Sequence, residues 1–224
     1  MINFHPTGEQ LTLFAEGALS PEESVLVSAH VDMCEWCRDE LQQKTELLAA
    51  KVFHLNEPVL RQHKLDSMFE GITSSSAYFT QSSLPYSQHS QYIHLDGMRF
   101  QLPRTLRKYA LKAGGWSYLA GKTWQTAIDF NSSWQASFMY LEKGGHIPEH
   151  QYVGKAYWLI IDGELSEGRK VHKKGDFVAI KEEASKTPVC NAEQGCLVFT
   201  VLEKPVVFST GLTNLLNPSS HLYF

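Results

Sequence analysis

Residues 30–37 read His-Val-Asp-Met-Cys-Glu-Trp-Cys, a histidine followed at fixed spacing by a Cys-x-x-Cys pair. Cys34 lies one helical turn after His30, so the two side chains share a face if the helix continues, and Cys37 arrives from the turn that follows. His5 precedes the first predicted helix and can supply a fourth ligand. Four nitrogen and sulfur ligands close a tetrahedral zinc site and leave no open position. We therefore predict one structural Zn²⁺ held by His5, His30, Cys34 and Cys37.

The same residues have a simpler interpretation, in which His30 lies on a helix surface and the two cysteines are a redox pair or buried thiols. A redox Cys-x-x-Cys motif is typical of a βαβ context. The surrounding sequence has a helical pattern instead, which favours the metal site.

The segment from Pro6 to about Gly71 is predicted to form several short helices. Thr7 is a candidate cap for the first helix, and Gly17 can end it. Ser20-Pro21-Glu22-Glu23 combines an N-cap, a proline at the first helical position and a glutamate at the third, so a second helix should start there and run through His30. A third helix is expected after the cysteine pair. A domain this small has a limited core, which metal binding would stabilise.

An amphipathic segment follows from Glu46 to Phe69, interrupted or restarted at Pro58. Its apolar side chains could enter a groove of a partner protein or could pack within the chain itself. Periodicity alone does not distinguish these two alternatives. The apolar positions are Leu47, Leu48, Val52, Leu55, Val59, Leu60, Leu65, Met68 and Phe69.

A Ser- and Gln-rich stretch then separates the helical region from an all-β region. We predict a helical domain over residues 1–72, a linker over 73–91 and a β-barrel domain over 92–224. The barrel prediction depends on short strand-like runs separated by Gly, Pro and charged turns. These runs include Ala136–Leu141, Ala156–Ile161, Asp176–Ile180 and Cys196–Leu202.

Composition restricts the class of protein. The formal net charge of the 224 residues is −4, so the attraction that drives non-specific nucleic-acid binding is missing and direct DNA binding is not expected. The sequence contains no apolar run of membrane-spanning length, and Met1 to His5 lacks the features of a signal peptide. We expect a cytoplasmic protein whose four cysteines are thiols or metal ligands.

The N-terminal motifs resemble the zinc-binding anti-sigma factors, specifically their ChrR-like branch. The resemblance runs from His5-Pro6-Thr7-Gly8-Glu9-Gln10-Leu11, through Ala15-Glu16-Gly17-Ala18-Leu19, to the His30, Cys34 and Cys37 motif. It implies a partner, an extracytoplasmic-function sigma factor held inactive by the helices, and a stress signal such as singlet oxygen. It also implies that the second domain is a cupin barrel with a double-stranded β-helix, or jelly-roll, fold.

Residues 144–164 resemble the first cupin motif, and Gly175-Asp176-Phe177 with Pro188 and Gly195-Cys196 resembles the second. The positions aligned with the metal ligands of cupins are His150, Tyr152, Ala156 and Lys186. Alanine has no ligand atom and lysine repels cations, so a second metal is not expected at these positions. A displaced site could still use His146, Glu149 and His172.

A metal-free barrel can bind a small molecule, and the candidate pocket residues are His150, Tyr152, Tyr157, Trp158 and Lys186. The alternative is a packed barrel without a pocket. Cys190 and Cys196 are candidate redox thiols, with buried, inert thiols as the alternative.

Together with the family resemblance, these observations predict a cytoplasmic anti-sigma factor in which a zinc-stabilised helical domain binds the sigma factor and a cupin domain relays the signal. The alternative is a metal-dependent cupin enzyme, such as a dioxygenase or isomerase, with an attached zinc domain. A binding module without a sigma partner is a third interpretation, and the oligomeric state stays open.

Overall fold

The computed structural model describes residues 2–55, 62–74, 91–95, 97–130, 132–180 and 187–208. Side chains of residues 54, 55, 62–64 and 208 are not described. Lys186 and nearly all of the predicted linker lie outside the described residues. The helices are α1 (Gly8–Ala15), α2 (Pro21–Met33), α3 (Glu35–Leu55), α4 (Gln62–Ser74), a 3₁₀ turn (Arg104–Leu106) and α5 (Arg107–Ala110).

The rest of the described chain consists mainly of short strands, as the sequence predicts for the second domain. In chain order these are β1 (Tyr92–Leu95), β2 (Met98–Gln101), β3 (Ser117–Ala120), β4 (Thr123–Ile128), β5 (Gln135–Leu141), β6 (His150–Gln151), β7 (Ala156–Asp162), β8 (Glu164–Glu167), β9 (Lys170–Lys173), β10 (Phe177–Ile180), β11 (Val189–Cys190), β12 (Cys196–Leu202) and β13 (Val207–Phe208).

Local signals at the starts of α1 and α2 work as predicted. The Thr7 side chain accepts a hydrogen bond from the Gln10 backbone N–H, and the Gln10 side chain accepts one from Thr7, which completes a capping box. Ser20 caps α2 in the same way, by accepting from the Glu23 N–H at 3.2 Å. Gly17 follows α1 with φ +70°, a left-handed conformation that glycine adopts without steric cost.

The third helix differs from the prediction, because it begins before Cys37 rather than after it. Helix α2 ends at Met33, Cys34 is extended (φ −117°, ψ 110°), and α3 starts at Glu35. In an unbroken helix Cys37 would lie about 10 Å along the axis from His30. The break at Cys34 removes that separation and brings the Cys37 thiol to 3.2 Å from His30 Nε2.

The β domain is built around a six-stranded sheet of order β10-β7-β12-β5-β4-β3. A three-stranded sheet, β11-β8-β9, and the pair β13-β6 complete the barrel, and β1-β2 forms a separate hairpin. The neighbouring strands of the large sheet are antiparallel, with β12 between β5 and β7. Side chains therefore alternate between its two faces.

One face of the large sheet points into the barrel and packs against the smaller sheets. Met139, Trp158, Ile160 and Val198 lie on this face and belong to one buried cluster with Leu165 of β8. The barrel interior is therefore a packed apolar core.

The other face of the large sheet packs against the helical domain. Phe138, Tyr157 and Phe199 share a buried cluster with Leu11 of α1 and Leu26 of α2. The two predicted domains thus have one continuous core between them, in addition to the core inside the barrel. Among the helices of the described ranges, none combines the length and apolar character that crossing a membrane requires.

Candidate metal centre

The four predicted zinc ligands converge at the junction of the N-terminal segment, α2 and α3. Their ligand atoms all lie within 4.8 Å of one another. His5 Nδ1 is 3.3 Å from the Cys37 sulfur and 3.5 Å from the Cys34 sulfur. A tetrahedron with standard Zn–N and Zn–S bond lengths has N···S edges of about 3.6 Å. The distances therefore fit four ligands around one zinc ion.

The tautomer of His30 also fits a metal ligand. Its Nδ1 lies 2.8 Å from the Gly175 backbone carbonyl, which can only accept, so Nδ1 carries the proton. The other nitrogen, Nε2, then presents its lone pair to the thiol cluster. Metal-binding histidines generally donate their second ring N–H to a partner of this kind, which fixes the ring orientation.

Burial changes the pKa values of two of the ligands, His30 and Cys37. It lowers the pKa of His30 to about 4, so the imidazole is neutral at neutral pH. Burial, reinforced by the neighbouring Cys34, raises the pKa of the Cys37 thiol to about 12. A zinc ion supplies the positive charge that stabilises thiolates in this setting, and its binding must release the Cys37 proton.

A turn of the barrel contacts the metal-ligand cluster and the segment before His5. Asp176 is fully buried between β9 and β10, and its carboxylate accepts hydrogen bonds from the backbone N–H groups of Asn3 (2.7 Å), Phe4 (3.2 Å) and Lys173 (2.7 Å). The Phe177 N–H donates to the Phe4 carbonyl at 2.9 Å. The segment that carries His5 is thereby attached to the barrel.

A second polar contact joins the two domains through Glu23 of α2. Its carboxylate accepts from the Tyr157 hydroxyl at 2.8 Å and from Lys155 Nζ at 3.2 Å. Burial alone would raise the pKa of Glu23, but the hydrogen bonds from Tyr157 and Lys155 outweigh burial and lower it. Burial and the Glu23 contact raise the pKa of Tyr157.

The sequence indicates Glu23 only as part of the start of α2, and Asp176 only as part of a turn that resembles a cupin motif. Their partners lie more than 130 residues away along the chain, so no local spacing could have revealed these contacts.

The predicted pocket residues do not line one cavity. His150, Tyr152 and Trp158 surround a space of about 10 Å³ inside the barrel, enough for about one water molecule. Tyr157 lies on the opposite face of β7, because side chains alternate along a strand, and it contacts the helical domain instead. Lys186 lies outside the described residues.

Other predicted polar sites in the barrel are dispersed or buried. Within the part of the chain that the structure describes, His146, Glu149 and His172 do not form a metal-ligand group. Cys190 and Cys196 are both fully buried, and burial raises the pKa of each thiol. Protonated, inaccessible thiols react slowly, which favours the inert alternative.

A wider cavity of about 610 Å³ lies where the helical domain meets the barrel. It adjoins the Asp176 turn at Lys174 and Gly175. Its remaining lining residues are Ile2, Asp32, Met33, Gln101, Leu102, Pro103, Arg104 and Arg107.

The helices beyond the metal cluster expose large apolar side chains. On α4, Leu65, Met68, Phe69 and Ile72 repeat at helical spacing and are 46–72% exposed. On α3, Leu47, Val52 and Phe53 are 50–69% exposed. The three α3 residues do not share one side of their helix, because successive residues turn by about 100°. The four α4 residues do, and they are called the helical apolar face below.

Known proteins that resemble this chain include a zinc-finger family and an anti-sigma factor. The family model described as "Putative zinc-finger" matches residues 7–38. The anti-sigma-E factor ChrR of Cereibacter sphaeroides is 22% identical over 97% of both chains. The crystal structure of Rhodobacter sphaeroides SigE in complex with the anti-sigma ChrR matches with a TM-score of 0.65 and 20% identity, covering 90% of this chain and 100% of that chain.

A cupin from Shewanella frigidimarina covers 39% of this chain and 81% of its own length, with 17% identity and a TM-score of 0.35. The resemblance indicated by the N-terminal motifs is confirmed, and it extends through the β domain. The chain thus combines a helical His/Cys domain with a β-barrel, and it resembles the ChrR-like zinc-binding anti-sigma factors over nearly its whole length.

Proposed function

We propose that this chain is an anti-sigma factor, which binds an extracytoplasmic-function sigma factor through its helical domain and keeps it from RNA polymerase. The observation that carries the proposal is the helical apolar face, found on a chain that resembles an anti-sigma factor from end to end. Its site of action would be the cytoplasm, where RNA polymerase is found.

The helical apolar face offers exposed apolar side chains that a partner could bury. Full burial of one large apolar side chain contributes about 1.5–3 kcal/mol. Phe53 of α3 and Phe69 of α4 are each 69% exposed in the chain alone. A partner groove that covers both helices would remove this surface from water, which supports a docking role.

In this proposal the zinc has a structural role, because all four coordination positions are taken by His5, His30, Cys34 and Cys37. The ion would hold the start of α3 against the end of α2. The β domain would relay a stress signal through its extensive contact with α1 and α2.

The alternative of a cupin enzyme has weaker support. The space around His150 measures about 10 Å³, which is too small for an organic substrate. The relative that matches over 97% of both chains is an anti-sigma factor, which is a regulatory protein rather than an enzyme.

The test is direct binding between the purified, zinc-loaded chain and the extracytoplasmic-function sigma factors of the same genome. One of them should bind, and Phe69→Ala should weaken that binding by about tenfold, the size expected of an apolar anchor at an interface. Val171→Ala is the matched control, since Val171 is an exposed apolar residue of the barrel (39% exposed). The proposal fails if no sigma factor binds, or if both variants weaken binding equally.

A further inference from the structure

We propose that the barrel turn from Lys173 to Phe177 is an integral part of the metal centre, with Asp176 and Gly175 acting as positioning residues for the zinc ligands. Neither residue is a metal ligand in this proposal. Both hold ligand-bearing backbone or side-chain groups in place, and they belong to the other domain. The proposal goes beyond the anti-sigma function and does not depend on it.

His30 contacts this turn directly. Its Nδ1–H donates to the Gly175 carbonyl at 2.8 Å, and its ring packs edge-on against Phe177 with the centroids 6.0 Å apart. These contacts determine both the tautomer and the orientation of the ring. Gly175 has φ +91°, a conformation that disfavours any side chain, so the carbonyl is held where only glycine fits well.

The segment that carries His5 also contacts this turn. Residues 2–5 precede α1 and have no regular secondary structure, so contacts rather than a helix position their backbone. The His5 ring contacts Trp36 of α3, with centroids 5.0 Å apart, but the backbone of the residues before it is hydrogen-bonded to the barrel. Asp176 accepts from the N–H groups of Asn3 and Phe4, and the Phe177 N–H donates to the Phe4 carbonyl. The Phe4 ring also packs on His172 of β9, with centroids 4.8 Å apart. The residue directly before His5 is therefore held on three sides by the barrel.

Both histidine ligands thus depend on one turn of the barrel, whereas Cys34 and Cys37 are positioned by α2 and α3. Loss of outer-shell partners generally weakens metal binding by about 10- to 100-fold. Linkage is reciprocal. If contact of the turn with His30 and the N-terminal segment strengthens zinc binding by some factor, zinc binding strengthens that contact by the same factor. Movement of this turn and loss of zinc are therefore coupled equilibria.

The experiment measures the zinc dissociation constant of the full-length chain by competition with a chromophoric chelator. Asp176→Ala and Gly175→Ala should each raise it by about 10- to 100-fold. Glu23→Ala is the matched control, because it removes another buried carboxylate from the same domain junction without touching the turn. The control should leave the dissociation constant nearly unchanged. An unchanged value in Asp176→Ala, or an equal loss in all three variants, would overturn the proposal.

Hydrogen exchange of the wild-type chain provides a test that does not depend on the folding of a variant. Removal of zinc with a chelator should speed amide exchange at Phe4, Lys173 and Phe177, while the β5–β12 ladder stays protected. If the amide of Phe177 keeps its protection after zinc is removed, the turn is not coupled to the metal and the proposal is wrong.

Discussion

Replacement of Glu23 by alanine should loosen the contact between the helical domain and the barrel without disturbing the metal ligands. The Glu23 side chain is buried, and the Tyr157 hydroxyl that donates to it is buried as well. Without this acceptor, Tyr157 loses a hydrogen bond to a charged group, which is worth about 1.5–3 kcal/mol. Lys155 adds little, because its side chain is 58% exposed and solvent screens the ion pair.

The expected loss for Glu23→Ala is therefore about 2 kcal/mol in the free energy of unfolding. For a chain of this size, that corresponds to a decrease of about 4–8 °C in the melting temperature. Thermal and urea denaturation of the zinc-loaded protein measure it. Lys155→Ala, which removes the exposed partner of the same carboxylate, should cost less than about 1 kcal/mol.

A double-mutant cycle with Tyr157→Phe isolates the interaction. The two single variants remove opposite ends of one hydrogen bond, so the double variant should be more stable than the sum of the single losses implies, by about 1–2 kcal/mol. If the losses of Glu23→Ala and Tyr157→Phe are simply additive, the two groups do not interact, and the domain junction has been misinterpreted.

Two further predictions concern the metal and the protonation of Glu23. Cys37→Ser should abolish tight zinc binding and reduce the helical circular dichroism signal, because structural zinc contributes on the order of 10 kcal/mol to folding; Cys190→Ser, which alters a buried thiol of the barrel, should retain one zinc per chain. The pKa of Glu23 is lowered in the folded state, so its contribution to stability is complete above the ordinary glutamate pKa near 4.5 and is lost as the pH falls through the folded value. Urea denaturation at several pH values between neutral and acidic should therefore show a smaller decline in the free energy of unfolding for Glu23→Gln than for the wild type. Equal declines would contradict a lowered pKa of Glu23 in the folded state.

The helix caps and the motif from His30 to Cys37 were predictable because their signals are local. Thr7 and Ser20 cap α1 and α2 as predicted. His5 lies 25 positions before His30, and no local spacing determines its distance from the other ligands. The break at Cys34 was not predictable in the same way. Residues 30–37 contain no glycine or proline that would mark the end of α2.

The face of β7 could not be read from the sequence either. Residues 156–161 are apolar throughout, because one side of the strand fills the barrel and the other contacts the helices. Without alternating polar residues, the sequence does not show which of Tyr157 and Trp158 faces the barrel interior. The sequence therefore predicted a pocket residue where the structure has a contact between domains. The roles of Glu23 and Asp176 depend on the same unseen junction.

The attachment of residues 3 and 4 to Asp176 also affects when the metal site can be completed during synthesis. These partners are separated by more than 170 positions, so His5 leaves the ribosome long before the residues that hold its backbone. A nascent chain has His30, Cys34 and Cys37 available early, but it lacks the support for the fourth ligand until the barrel has been translated. Full zinc affinity is then a property that only the finished chain acquires.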